Sequence, residues 1–269
     1  MVLEILGSGT STGVPVPACT CSVCTSASPQ DKRMRACALL RGPQDTPAVL
    51  LDAGPEFRLQ ALRADIRRLD AVLVTHSHAD HIHGMDDLRI FSREQPLPVF
   101  SDPECLHDIR NRFDYVFKKT QEGGGKPKFE LIPVTHGESI QAAGISVMPL
   151  ALFHGNLRIT GWRFGDTAYL TDCSRIPEET FSLLKGIRKL VIDGLREKEH
   201  PTHFNFRQAA EAAFRTGAGE VWFTHIGHER RHSEIARWCE TWAAGKKTPG
   251  GKPLRLAPAW DGLRIPVTL

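Results

Sequence analysis

The sequence predicts an α/β fold with helices covering the faces of sheets. Three observations carry that prediction. Short runs rich in Val, Ile and Leu recur along the whole chain, helix-like stretches separate several of them, and most runs end in a polar or glycine-containing turn. Early strands come in groups and later ones alternate with helices, as expected where helices pack on sheets.

In chain order, Val2 to Leu6 and Ala48 to Asp52 have strand length and aliphatic content, and Glu56 to Leu69 is helix-like. Ala71 to Thr75 and Val99 to Ser101 are strands, followed by a helix-like stretch from Glu104 to Phe117. Gln121 to Lys128, QEGGGKPK, is a loose surface loop. Ile145 to Leu152 and Thr167 to Thr171 are strands, Pro177 to Leu184 a helix, Lys189 to Asp193 a strand. The helix Phe206 to Arg215 has both end signals, a capping box of Asn205 with Gln208 and a stop at Gly217. Glu220 to Thr224 is a strand and Glu234 to Ala244 a helix. The loose stretch Gly245 to Pro253 then leads to the closing run Leu254 to Val267. With no repeat of fixed period and no long linker, one domain over 1–269 is expected.

Composition removes several function classes. The chain has 269 residues with 34 Lys+Arg against 31 Asp+Glu, a formal charge of +3. A chain this long buries about three quarters of the surface it would expose unfolded, so it needs no disulfide to build a core. Its 41% hydrophobic and 24% charged residues are a globular composition, against disorder as the dominant state. The charge is too weak to argue by itself for nucleic-acid or membrane-surface binding. No run approaches the roughly 20 apolar residues that span a bilayer, and the start MVLEILGSGTSTG has Glu4 and no basic region, so a soluble cytoplasmic protein is expected.

The informative segment is THSHADHIHG. His76, His78, Asp80 and His81 follow the strand-like run in H-x-H-x-D-H spacing, and a loop past the carboxyl end of a strand can turn all four into one crevice. Imidazole and carboxylate together suit Zn²⁺, Mn²⁺ or Fe²⁺. One short loop cannot fill two coordination spheres, so further ligands are expected at other strand ends. His154 ends ISVMPLALFH, Asp172 ends TAYLTD and His225 ends EVWFTH.

In this order, GSGTSTGVP, THSHADH, His154, Asp172 and FTHIGH, the sequence resembles the metallo-β-lactamase superfamily of binuclear metallohydrolases. The resemblance implies an αββα sandwich with metals at one edge. It assigns His76, His78 and His154 to one metal, Asp80, His81 and His225 to the other, and Asp172 to a bridge between them. Two metals so held can stabilise attacking and leaving oxygens together.

The 7 cysteines are an odd number, and three of them crowd into CTCSVC while Cys37, Cys105, Cys173 and Cys239 are scattered. That is not a disulfide framework. Cys19, Cys21 and Cys24 can give three thiolates to a structural zinc, with His228 as the fourth ligand; the alternative is three free thiols in a surface loop. With this cluster the chain resembles the PhnP-type branch, the phosphoribosyl cyclic phosphate phosphodiesterases. The resemblance implies a catalytic acid or base at His203, in HPTHFNFRQA, with His200 as its competitor. The Phe-Asn-Phe after His203 departs from the acidic residue often found in that branch. Asp86, Asp87 and Arg89 in GMDDLRIF are read as surface or helix-start groups.

The expected activity is therefore hydrolysis of a small phosphodiester, a cyclic phosphate or nucleotide-like molecule, with Asp80 orienting the attacking water and His203 protonating the leaving alkoxide. The expected cofactors are two divalent ions, zinc or manganese, at the active site and one structural zinc. An RNase Z-like tRNA 3′-processing nuclease and a non-catalytic metal-binding accessory protein are the alternatives. The nuclease would need a basic grip on a long polyanion, for which only the QEGGGKPK loop offers itself. A homodimer is compatible with the sequence; a membrane or nucleic-acid partner is not expected.

Overall fold

The apolar runs are continuous because their strands are buried on both faces. In β1 (Val2–Gly7) Leu3 and Ile5 enter one core while Leu6 enters another. In β2 (Cys37–Arg41) and β3 (Ala48–Leu51), Ala38, Leu40, Val49 and Leu51 share the first core, and Cys37, Leu39, Ala48 and Leu50 the second. With side chains alternating between faces, a strand that has two apolar faces must be apolar at every position. These relationships come from a computed structural model of the chain that describes residues 1–119 and 125–269. Residues 121–124 of the QEGGGKPK loop therefore lie outside the described residues.

The first sheet continues through β4 (Ala71–Leu73), β5 (Leu97–Ser101) and β6 (Phe129–Pro133). The second is built from β7 (Ile140–Ala142), β8 (Ile145–His154), β9 (Leu157–Phe164), β10 (Thr167–Leu170), β11 (Lys189–Asp193), β12 (Glu220–Thr224) and β13 (Arg255–Pro258). Strand β14 (Arg264–Pro266) returns to the edge of the first. The orders are β14-β1-β2-β3-β4-β5-β6 and β13-β12-β11-β10-β9-β8-β7. Each sheet runs antiparallel in its early strands and parallel from β3 to β6 or from β10 to β13. The parallel strands aim their carboxyl ends, and the loops that follow them, at one edge.

Trp162, Phe164 and Tyr169, all 0% exposed, fill the space between the sheets. Removing a ring of this size costs about 3–5 kcal/mol. Helices α1 (Phe57–Arg63) and α3 (Pro103–Arg112) cover the outer face of the first sheet, through Phe57, Ala61, Leu106 and Ile109. Between them in the chain lies α2 (Ala79–Ile82), and α4 (Asp114–Phe117) follows α3. Helices α5 (Glu178–Leu183), α6 (Phe206–Thr216) and α7 (His232–Ala243) cover the second sheet, through Thr180 and Leu184 at α5, Phe206, Ala209 and Ala213 of α6, and Ile235 and Cys239 of α7. This is an αββα sandwich. Among the described residues no helix is long and apolar enough to cross a membrane.

Several boundaries differ from the sequence expectation, each for a local reason. The first helix stops at Arg63 rather than Leu69 because Asp65 takes a left-handed conformation, φ 50°. The expected helix Glu104 to Phe117 is broken at Phe113 (φ −113°, ψ 39°) and begins at Pro103, capped by Asp102, whose carboxylate accepts from Glu104 N and Cys105 N at 3.0 and 3.1 Å. The Asn205–Gln208 capping box is reciprocal, at 2.8 and 3.0 Å, and Gly217 ends α6 with φ 82°.

Candidate metal centre

Five parallel strands deliver acids and imidazoles to the common edge: Asp52 after β3, the His76–His81 loop after β4, Asp172 after β10, Asp193 at the end of β11 and His225 after β12. Three of these residues need an unusual backbone to turn inward. Asp52, Asp172 and His225 have φ of 63°, 56° and 57°. A non-glycine residue pays about 1–2 kcal/mol for that conformation, and such strain concentrates at functional sites.

The loop is wedged by close backbone contacts. Ala53 N donates to His81 O at 2.7 Å and Gly84 N to Ala53 O at 2.8 Å. A Cβ on Gly54 would sit 2.1 Å from Asp80 O, and one on Gly84 1.9 Å from Gly54 O. Glycine at both positions is what lets the two loops touch.

The imidazoles of His76, His78 and His154 are neighbours, with ring centroids 4.6, 5.1 and 5.7 Å apart. The donor atoms of Asp80, His81, Asp172 and His225 all lie within 4.8 Å of one another. Nε2 of His81 is 3.2 Å from oxygens of both Asp80 and Asp172, and Nε2 of His225 is 3.0 Å from Asp172 Oδ1 and 3.6 Å from Asp80 Oδ2. His154, Asp172 and His203 form a further group on the same scale. All seven residues expected to hold the catalytic metals are thus brought to one place, with Asp172 shared by both groups.

The chemistry of this set fits divalent cations. Nε2 of His76, His81 and His225 is buried without a hydrogen-bond partner, a state that is costly unless something else satisfies the atom. Burial holds His76 well below the ordinary imidazole range and His154 down at about 4, which keeps their nitrogens unprotonated as ligands must be. Burial works against the charged forms of Asp80 and Asp172 too. The positive charge of His81 at Asp80 and of His225 at Asp172 outweighs it and keeps both carboxylates ionised; Asp172 in turn raises His81 and His225 against burial, so protons stand there where a bound cation would supply the positive charge.

Outer partners fix the rings. His81 Nδ1 donates to Asp52 Oδ2 at 2.8 Å, and Asp52 also accepts from Thr75 N and Thr75 Oγ1 at 2.8 and 2.9 Å. His154 Nδ1 donates to Thr202 O at 2.8 Å. His203 Nδ1 donates to Asp193 Oδ2 at 2.8 Å, and its ring lies 4.6 Å from His154 and 4.8 Å from His225. His200 lies further out, its Nδ1 accepting from Thr202 N at 3.3 Å, and it joins none of the donor groups. Asp52 and Asp193 were missed from sequence, although each ends an aliphatic run as Asp172 does. Asp86 pairs with Arg89 and accepts from the Tyr115 hydroxyl, away from the cluster.

A second cluster joins the Sγ atoms of Cys19, Cys21 and Cys24 to His228 Nδ1 at 3.5, 3.5 and 3.4 Å. The Cys24 N–H and His228 lower the Cys21 thiol to about 6, while burial pushes Cys24 to about 11. Three sulfurs and an imidazole are a closed tetrahedral set suited to zinc. The GSGTS segment braces both clusters: Ile226 N donates to Ser8 O at 2.9 Å and Thr10 N to Ile226 O at 3.2 Å, between His225 and His228. Cys37, Cys105, Cys173 and Cys239 are free and buried.

Comparison with known proteins shows the family and the fold. Residues 48–226 match the beta-lactamase superfamily domain. A crystal structure described as a new diphosphatase from the PhnP family superposes with a TM-score of 0.85 at 36% identity, covering 100% of this chain and 98% of that one. Zinc-bound PqqB from Methylobacterium extorquens shares the fold, with a TM-score of 0.72 at 20% identity over 99% of this chain and 100% of that one. A protein of Porphyromonas gingivalis named octanoyltransferase is 42% identical over 236 residues, 86% of this chain; the chain spans 48% of that relative's length.

Proposed function

The chain belongs to the metallo-β-lactamase superfamily and within it to the PhnP family, and from that premise we propose that it is a metal-dependent phosphodiesterase acting on a small substrate. The observation that carries the reading is the His203–Asp193 couple set against the metal-ligand cluster. A cluster of ligands alone serves binding as well as hydrolysis, whereas a buried imidazole oriented by a buried carboxylate beside it supplies the proton a leaving group needs.

His76, His78 and His154 would hold one divalent ion and Asp80, His81 and His225 a second, with Asp172 between them. Zinc and manganese both suit this set. When bound, such ions supply acidified water and neutralise charge on phosphoryl oxygens. Asp80 orients the attacking water by accepting one of its O–H bonds. With Nδ1 engaged by Asp193, His203 presents Nε2 to the reaction and passes a proton to the leaving alkoxide. Burial and the neighbouring His225 lower His203 to about 4; the hydrogen bond from its Nδ1 to Asp193 Oδ2 acts the other way, favouring the imidazolium form. Cys19, Cys21, Cys24 and His228 would hold a structural zinc that fixes the GSGTS loop against β12.

Cyclic phosphates and nucleotide-like diesters are the favoured substrates. The likeness to a PhnP-family diphosphatase adds diphosphate esters, which present the same kind of phosphorus centre. The acyl-transfer name of the P. gingivalis relative is not carried over, since the chain matches less than half of that protein. The test is His203→Ala assayed with two leaving groups. The variant should lose about 10²–10⁴-fold on an alkyl phosphodiester and far less on bis(p-nitrophenyl) phosphate, whose phenolate leaves without protonation. Equal losses on both would remove His203 from proton donation.

A further inference from the structure

The loop from His76 to His81 is held at its two ends by different elements. At the far end Ala53 N donates to His81 O, and Asp52 accepts from the His81 ring. The near end, His76 to His78, belongs to the other ligand group, whose three rings are supported unequally. His76 Nδ1 lies 3.0 Å from Thr75 Oγ1, and His154 Nδ1 donates to Thr202 O at 2.8 Å. The ring of His78 is exposed and, among the described residues, has no hydrogen-bond partner. A ligand imidazole is ordinarily oriented through its second nitrogen. One without such a partner takes its position from the backbone that carries it.

Helix α3 grips that backbone at Ser77, the residue between His76 and His78. Ser77 Oγ donates to Asp108 Oδ2 at 2.5 Å, and the Arg112 guanidinium donates to Ser77 O. Asp108 and Arg112 stand one turn apart on the helix, 3.8 Å from each other. Both bonds to Ser77 involve a charged group and are stronger than bonds between neutral partners. Ser77 is buried, so water does not readily replace them. The helix is itself fixed, because Cys105, Leu106 and Ile109 seat it in the core and Asp102 caps its start. One residue of the loop thus has its hydroxyl and its carbonyl tied to a rigid element, with a histidine of the first group on either side.

We propose that Asp108 and Arg112 are positioning residues that hold His78 in place through Ser77, as Asp52 holds His81 through its ring. This rests on the reading above that gives His76, His78 and His154 to one ion, and it makes the supports of the two ions separable. The experiment is chelator competition on the zinc-loaded protein, with His78→Ala marking the ion of the first group. Asp108→Ala should weaken that ion about 10–100-fold and change the ion of Asp80, His81 and His225 by less than twofold. Asp108→Asn keeps an acceptor for the Ser77 hydroxyl and should recover most of the loss. Ser77→Ala should resemble Asp108→Ala, and the two together should cost little more than either, since both break one bond. Arg112→Lys, which keeps a donor for the Ser77 carbonyl, should lose less than Arg112→Ala. The side chains of Asp108 and Arg112 are half-exposed, so these changes leave the core intact. Equal weakening of both ions, as a general loosening of the fold would give, overturns the proposal, and so does an Asp108→Ala protein with wild-type affinity. Failure of the ligand assignment shows separately, as a His78→Ala protein that retains all of the wild type's zinc.

Discussion

Nδ1 of His81 donates to Oδ2 of Asp52 across 2.8 Å, and both side chains are wholly buried. The carboxylate thereby fixes which nitrogen of His81 faces the cluster of Asp80, Asp172 and His225. Removing such a partner typically weakens metal affinity 10–100-fold. Asp52→Ala should show that loss in a chelator competition, and should also destabilise the fold, because Thr75 N and Oγ1 lose their acceptor. Unchanged affinity would leave Asp52 with a structural role only.

Asp193→Asn should lower kcat on an alkyl phosphodiester by roughly 10²-fold or more with little change in KM. The amide can no longer stabilise the imidazolium of His203. Combined with His203→Ala it should cost little more than the histidine change alone, since the two residues act as one unit.

Cys21→Ala should remove one metal equivalent, measured by elemental analysis. After chelation of the wild type, a thiol reagent should react quickly with the half-exposed Cys19 and Cys21 and slowly with Cys37, Cys105, Cys173 and Cys239, which are buried. Fast reaction of the scattered four would contradict their burial.

Gly54→Ala should disturb the metal loop without touching any ligand. Its Cβ would lie 2.1 Å from the backbone oxygen of Asp80, and overpacking of this kind costs about 1–3 kcal/mol. A lower melting temperature together with weaker metal binding is expected, and wild-type values in both would sink the wedge argument.

Asp166, in the turn between β9 and β10, yields a pH-dependent effect outside the histidine–aspartate cluster. Burial raises its pKa, but Thr268 N at 3.0 Å and Lys189 Nζ at 3.1 Å outweigh this and bring the carboxyl from 3.8 down to about 2. A depressed folded-state value means stability that is present above the unfolded pKa and is lost as pH falls through the folded one. Asp166→Asn should therefore melt below the wild type at pH 7, with the gap closing between about pH 4 and pH 2.

The clustered residues were legible because of how they are spaced. His76, His78, Asp80 and His81 crowd into one loop, and His154, Asp172 and His225 each end an aliphatic run. Asp52 and Asp193 end such runs too, but nothing in one sequence separates a member of the cluster from the residue that orients it; only the 2.8 Å bonds to His81 and His203 do. Strand β9 was not read because Gly161 interrupts it, and a glycine inside a strand usually signals weakness. Here a Cβ would sit 2.6 Å from Leu170 and 2.8 Å from Leu152, so the gap is a packing requirement. Strand β2, CALLR, lacks β-branched residues and forms through its neighbours β1 and β3 rather than by propensity.

The most direct test is metal content measured beside turnover on a small phosphodiester, in the wild type and in Asp172→Ala. Three metal ions per wild-type chain are expected, and a variant that keeps the cysteine-bound ion, loses the ions at the histidine–aspartate cluster and does not turn over. A wild type with a single ion, or an Asp172→Ala protein with three ions and full turnover, would contradict that expectation.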